Sequence, residues 1–193
     1  MDTKSIMIVG VGGQGTLLAS KLIGRILMEK GYDVKVSEVH GMSQRGGSVV
    51  TYVRYGDKVY SPVIDPGQAD YVLSFEPLEA ARAVPFLKKG GTVITNSART
   101  NPMPVITGAA EYPAEIINNL KESGIKVISL DAMKLAVEAG SSKAVNLVLL
   151  GVLSKITGWK RDEWITAIRE SVPEKFYDMN IKAFDSGANA SES

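Results

Sequence analysis

The chain has 193 residues, 45% apolar and 22% charged, the make-up of one globular domain and not of a disordered tail or a fibrous repeat. Its formal net charge of +1 gives no overall field that would draw it to nucleic acid or to an anionic membrane. With no cysteine and a single histidine, His40, it can build no disulfide, iron–sulfur ligation, thiolate zinc site, thiol nucleophile or His-rich metal centre. No apolar run reaches the ~18 residues of a membrane span, and the first residues do not form a basic stretch leading into an apolar one. A cytoplasmic protein is expected, and any redox metal it works with must sit on another chain.

Ser5-Ile6-Met7-Ile8-Val9 is a short apolar run ended by glycine, the pattern of a buried parallel strand. Leu17, Leu18, Leu22, Ile26 and Leu27 then recur at helical spacing as far as Lys30, where Gly31 closes the helix. Residues 34–39 predict a second strand, which completes the opening βαβ unit of a doubly wound fold. Residues 48–55 are strongly β-forming; with a turn at Gly56-Asp57 and a return over 58–60 they predict an inserted β-hairpin, antiparallel to the main sheet.

Alternation then resumes with a strand over 71–75, a helix over 77–87 that has proline in its first turn, and a strand over 92–95. Residues 96–107, with two prolines, read as a loop with room for one short strand. A helix over 114–122, a strand over 127–129 and a helix over 132–139 capped by Asp131 follow. Residues 145–157 are apolar nearly all round and predict a buried helix. Two more helices are expected over 161–170 and 174–184, then a disordered tail from Gly187. The expected fold is thus α/β: a single Rossmann-like domain over 1–187 with a doubly wound, mainly parallel sheet, the inserted hairpin and a helical C-terminal part, and 188–193 as the tail.

Gly10-Val11-Gly12-Gly13-Gln14-Gly15 lies between strand and helix, the context that a dinucleotide fingerprint requires. Glycines there let the backbone turn tightly, and N–H groups at a helix start face an anion. Gly12, Gly13, Gln14 and Gly15 are candidate binding residues, and Glu38 stands where a ribose-binding carboxylate would. A free-standing NAD(P)-binding protein is one reading; a tight strand-to-helix turn with close packing is the other. Gln14 at the tip offers a side-chain amide to a ligand or a neighbouring chain. Nothing downstream supplies a substrate domain or a hydride-handling base, so the loop informs the fold more than the cofactor.

The most distinctive stretch is Glu38-Val39-His40-Gly41-Met42-Ser43-Gln44-Arg45-Gly46-Gly47-Ser48. It follows the carboxyl end of a strand, where open α/β sheets bind ligands. Arg45 offers a fixed cation suited to a phosphate or carboxylate, Ser43, Gln44 and Ser48 offer polar groups, and Gly46 and Gly47 allow close backbone approach. The same composition also suits a connection whose polar groups satisfy its own backbone. His40 reads as a hydrogen-bonding loop residue before a general base.

Together these two motifs resemble the gamma-type subunits of 2-oxoacid:ferredoxin oxidoreductases and, among them, the beta subunits of the indolepyruvate enzymes. The resemblance continues through Tyr60-Ser61-Pro62, Glu76-Pro77-Leu78-Glu79-Ala80, the run from Asn146 to Gly151 and the segment from Asn180 to Phe184, and so covers nearly the whole chain. It implies a subunit of an enzyme that oxidatively decarboxylates an indolepyruvate-like or related 2-oxoacid on thiamine diphosphate, passes electrons through [4Fe-4S] clusters to ferredoxin and forms an acyl-CoA.

The Gly-Asp-Gly…Asn-Asn signature of thiamine diphosphate is missing: Gly56-Asp57 runs into Lys58, and Asn118-Asn119 falls inside a predicted helix. The resemblance therefore implies a larger partner subunit that carries the thiamine diphosphate and the clusters, with this chain completing the active site or the coenzyme A pocket. It also implies activity only in the complex and a homodimeric arrangement of the assembly. Asn146 joins the candidate residues on the same ground. Arg45 could face the partner, the substrate carboxylate or the phosphates of coenzyme A, and a ligand-free scaffold is a third reading beside the enzyme subunit and the NAD(P)-binding protein.

Overall fold

A computed structural model describes residues 2–38 and 46–190. Six strands form one sheet in the order β2-β3-β1-β4-β5-β6: β1 (Lys4–Val11), β2 (Asp33–Glu38), β3 (Ser48–Gly56), β4 (Ala69–Ser74), β5 (Leu87–Asn96) and β6 (Lys126–Leu130). The ladders β1–β4, β4–β5 and β5–β6 are parallel, while β3 runs antiparallel to both its neighbours, β1 and β2. The doubly wound, mainly parallel sheet is as expected.

The inserted feature is a single strand, not a self-contained hairpin. Both edges of β3 are already taken, Lys4 to Val11 on one side and Asp33 to Glu38 on the other, so a return arm has no ladder to join. Val59 tucks in instead, 4% exposed, and its N–H donates to Asp33 Oδ2 at 2.8 Å. Because β3 intervenes, β2 is an edge strand and does not touch β1.

Side chains alternate across β1. Ile6 and Ile8 face a core built from α1 (Thr16–Glu29), α6 (Val145–Thr157), α7 (Arg161–Ser171) and α8 (Tyr177–Ala190); Met7 and Val9 face a smaller one under α2 (Pro77–Ala83). Every residue from Val145 to Ser154 is buried, as its all-round apolar sequence requires. Three further helices complete the fold: α3 (Met103–Ile106), α4 (Ile116–Glu122) and α5 (Ala132–Ala139), the last capped by Asp131 through Lys134 N–H at 2.8 Å.

Several boundaries differ from those the sequence predicts, β5 among them, which begins at Leu87 and not at residue 92. The helix from Pro77 ends at Ala83 and tightens into a 3₁₀ turn, Val84–Phe86, around Pro85, whose ring and missing N–H stop an α-helix. The loop over 96–107 holds one helical turn, α3, and no strand. The last helix passes through Gly187 to Ala190 where a tail was expected, because Gly187 is a packing residue: a Cβ there would lie 1.9 Å from Val148 O. No helix of the described residues is long and apolar enough to cross a membrane.

Candidate functional site

β1 leads into α1 on one face of the sheet and its neighbour β4 leads into α2 on the other, so the crevice between them is the topological switch point where such sheets take ligands. The glycine loop stands there. Gly13 and Gly15 have φ of +96° and +92°, the left-handed region in which a side chain is strained. Gly15 is the N-cap of α1 and brings no capping side chain, so the first N–H groups of that helix, which have no intrahelical partner, receive no side-chain partner from the cap residue.

The structure brings the two sequence motifs together. Gly12 N–H donates to Gly47 O at 2.8 Å, and the Ser48 hydroxyl donates to the buried carboxylate of Glu79, which also holds Arg82 at 2.6 Å. Asn146, 2% exposed at the start of α6, reaches the same loop through Nδ2 to Gly15 O at 3.4 Å. Gly46 is exposed, with φ +94°. His40, Ser43, Gln44 and Arg45 lie outside the described residues.

Gln14 does something the sequence reading did not foresee. Its side chain folds back over Gly10 and accepts a hydrogen bond from Val11 N–H through Oε1 at 2.7 Å, while Nε2 donates to Thr100 Oγ1 at 3.4 Å. The amide thus seals the loop from within. The open space lies to either side: a cleft of about 280 Å³ between the loop and the start of β3, and one of about 580 Å³ between the loop, Asn96, Met133 and Ser142–Asn146. Gly13 and Gly15 line both.

Glu38 is not placed as a ribose ligand. It sits on the edge strand one position further from β1 than a dinucleotide fold requires, and it accepts a hydrogen bond from Ser20 Oγ at 2.7 Å. Among the described residues no cluster of three His, Cys, Asp or Glu side chains is placed to hold a metal ion.

Residues with no part in either motif complete the site. Glu76, 1% exposed, caps α2 with Oε2, accepting from Leu78 N–H at 2.6 Å and Glu79 N–H at 3.2 Å. Its Oε1 accepts from Thr100 N–H at 3.3 Å and from the Tyr112 hydroxyl. Burial first, then the hydrogen bond to Glu76, pushes the Tyr112 hydroxyl above the ordinary phenol range, and the Arg99 guanidinium lies over its ring at 5.1 Å. Glu76-Pro77 shows in sequence as a helix start; that the second carboxylate oxygen gathers partners 24 and 36 residues away does not.

Residues 5–190 match the profile of the pyruvate ferredoxin/flavodoxin oxidoreductase family. The chain belongs to that family. This oxidoreductase subunit is 47% identical over 197 residues to indolepyruvate oxidoreductase subunit IorB of Pyrococcus horikoshii, covering 100% of this chain and 98% of that one. Its fold superposes on the keto/oxoacid ferredoxin oxidoreductase gamma subunit of Geobacter sulfurreducens with a TM-score of 0.72, at 22% identity and covering 98% of each chain. It also superposes, with a TM-score of 0.77 at 19% identity, on 31% of the chain of 2-oxoglutarate:ferredoxin oxidoreductase from Magnetococcus marinus, solved with 2-oxoglutarate, coenzyme A and succinyl-CoA bound, and that match covers 100% of this chain. The chain is therefore a subunit of the oxoacid:ferredoxin oxidoreductase kind, and the NAD(P)-binding reading of the glycine loop is set aside.

Proposed function

We propose that this chain is the cofactor-free subunit of a thiamine-diphosphate-dependent 2-oxoacid:ferredoxin oxidoreductase acting on indolepyruvate or a related aryl 2-oxoacid, and that its glycine loop closes the coenzyme A pocket. The larger partner subunit carries the thiamine diphosphate and the [4Fe-4S] clusters, the assembly holds two copies of each subunit in the cytoplasm, and ferredoxin takes the electrons. Bound thiamine diphosphate supplies the carbanion stabilisation that lets a 2-oxoacid lose carbon dioxide. The contribution of this chain is binding and enclosure.

The observation that carries the reading is the glycine loop with a cleft on each flank, set at the switch point and opening beside an uncapped helix start. N–H groups at a helix start suit the phosphates of coenzyme A. Identity of 47% to an indolepyruvate oxidoreductase subunit supports the aryl substrate. The absence of cysteine from the whole chain supports a partner that holds the clusters.

The test compares the chain alone with the chain co-expressed with its partner, assayed with indolepyruvate, coenzyme A, thiamine diphosphate and a viologen dye as electron acceptor. Turnover is expected only from the complex, with a higher kcat/KM for indolepyruvate than for pyruvate or 2-oxoglutarate. Turnover by the isolated chain, or tight NADH binding by it, would overturn the assignment.

A further inference from the structure

Helix capping needs one carboxylate oxygen, and Oε2 of Glu76 already supplies it to Leu78 and Glu79. A buried carboxylate is costly to desolvate and is kept only where donors surround it. The second oxygen of Glu76 collects its donors, Thr100 N–H and the Tyr112 hydroxyl, from beyond β5, outside the helix it caps. From Thr100 the connection goes on: Oγ1 accepts from Gln14 Nε2 at 3.4 Å, and Gln14 Oε1 holds Val11 N–H at 2.7 Å. Glu76 therefore ties together the segments that follow β1, β4 and β5 at the carboxyl edge of the sheet.

We propose that Glu76 is a positioning residue for the glycine loop, acting through Thr100 and Gln14 to fix the loop's shape before ligand arrives. The inference rests on the reading that this loop closes the coenzyme A pocket. Glu76→Gln separates the two oxygens cleanly. With its single carbonyl kept on the cap of α2, the glutamine turns its amide towards Tyr112 and Thr100. The tyrosine hydroxyl can rotate to accept, but Thr100 N–H is left facing another donor. The helix cap survives and the path to Gln14 is lost. Thr100→Val keeps the Thr100 backbone bond to Glu76 and removes only the Oγ1 acceptor of Gln14, at an exposed position where folding is not at stake.

The experiment uses the assembled complex with Glu76→Gln, Thr100→Val and, as reference, Gln14→Ala. It reads KM for coenzyme A, kcat and thermal midpoint. All three variants are expected to raise KM for coenzyme A by about three- to tenfold, the scale of one lost hydrogen bond, with kcat within about twofold of wild type and the midpoint of Thr100→Val unmoved. If Gln14→Ala raises KM while Glu76→Gln and Thr100→Val do not, Glu76 only caps its helix and the inference fails with the site reading intact. If none of the three moves KM, the loop does not close the coenzyme A pocket, and both the site reading and this inference fail.

Discussion

The α6–α8 contact and the carboxyl-edge loop are both built on glycine, for opposite reasons. In the helix pair the backbones approach until no side chain fits: a Cβ on Gly151 would lie 2.0 Å from Phe184 O, and one on Gly187 1.9 Å from Val148 O. The backbone angles there are ordinary, and space is what is missing. In the loop, Gly15 needs a positive φ, and its nearest obstacle is the end of a movable side chain, Asn146 Nδ2, at 2.9 Å. One region uses glycine to bring backbones together, the other to turn the chain. Packed interiors transmit such changes as strain, whereas loops absorb them.

The same Gly→Ala change should therefore read differently in the two places. At Gly187 helix propensity alone favours alanine by about 1 kcal/mol. Overpacking against immovable backbone outweighs it, and a net loss of about 3 kcal/mol in urea unfolding is expected for Gly187→Ala. Stability at or above wild type would show that α6 and α8 slide apart easily and would remove one side of the contrast. Gly15→Ala should cost less, about 1–2 kcal/mol for the left-handed backbone, and should show instead as a raised KM for coenzyme A in the complex. A full 3 kcal/mol loss there with unchanged KM would make the loop a packing element like the other. The smallest effect is expected at the edge of the helical layer, where Arg161 holds Asp185 through two bonds of 2.7 Å from a largely exposed position. Arg161→Ala should change stability by less than about 1 kcal/mol, and salt should erase most of that difference. A larger loss would mean that charge fastens α7 to α8 as firmly as glycine packing fastens α6 to α8.

The glycine loop and the stretch from Glu38 to Ser48 stand out in residue types and spacing, since tight turns and anion-facing backbone demand glycine whatever the rest of the chain does. Their meeting, through Gly12 N–H and Gly47 O, could not be read from either, because it depends on β3 entering the sheet beside β1. Glu38 shows the converse. Its place at a strand end suggested a ribose ligand, and the strand order moved it to the sheet edge with Ser20 as its partner.

What the sequence determined by itself was everything set by local periodicity and by composition: strand and helix alternation, the buried α6 whose apolar residues leave no solvent face, the cap at Asp131, and the exclusion of cluster ligation that follows from having no cysteine. Only the tertiary structure decided which strands are neighbours, that Gly187 packs inside a helix instead of opening a tail, and that one oxygen of Glu76 reaches Thr100 and Tyr112. Periodicity records which face of an element is buried. It carries no record of what that face will meet, because the partners of a buried polar group are chosen by the folded geometry and lie tens of residues away along the chain.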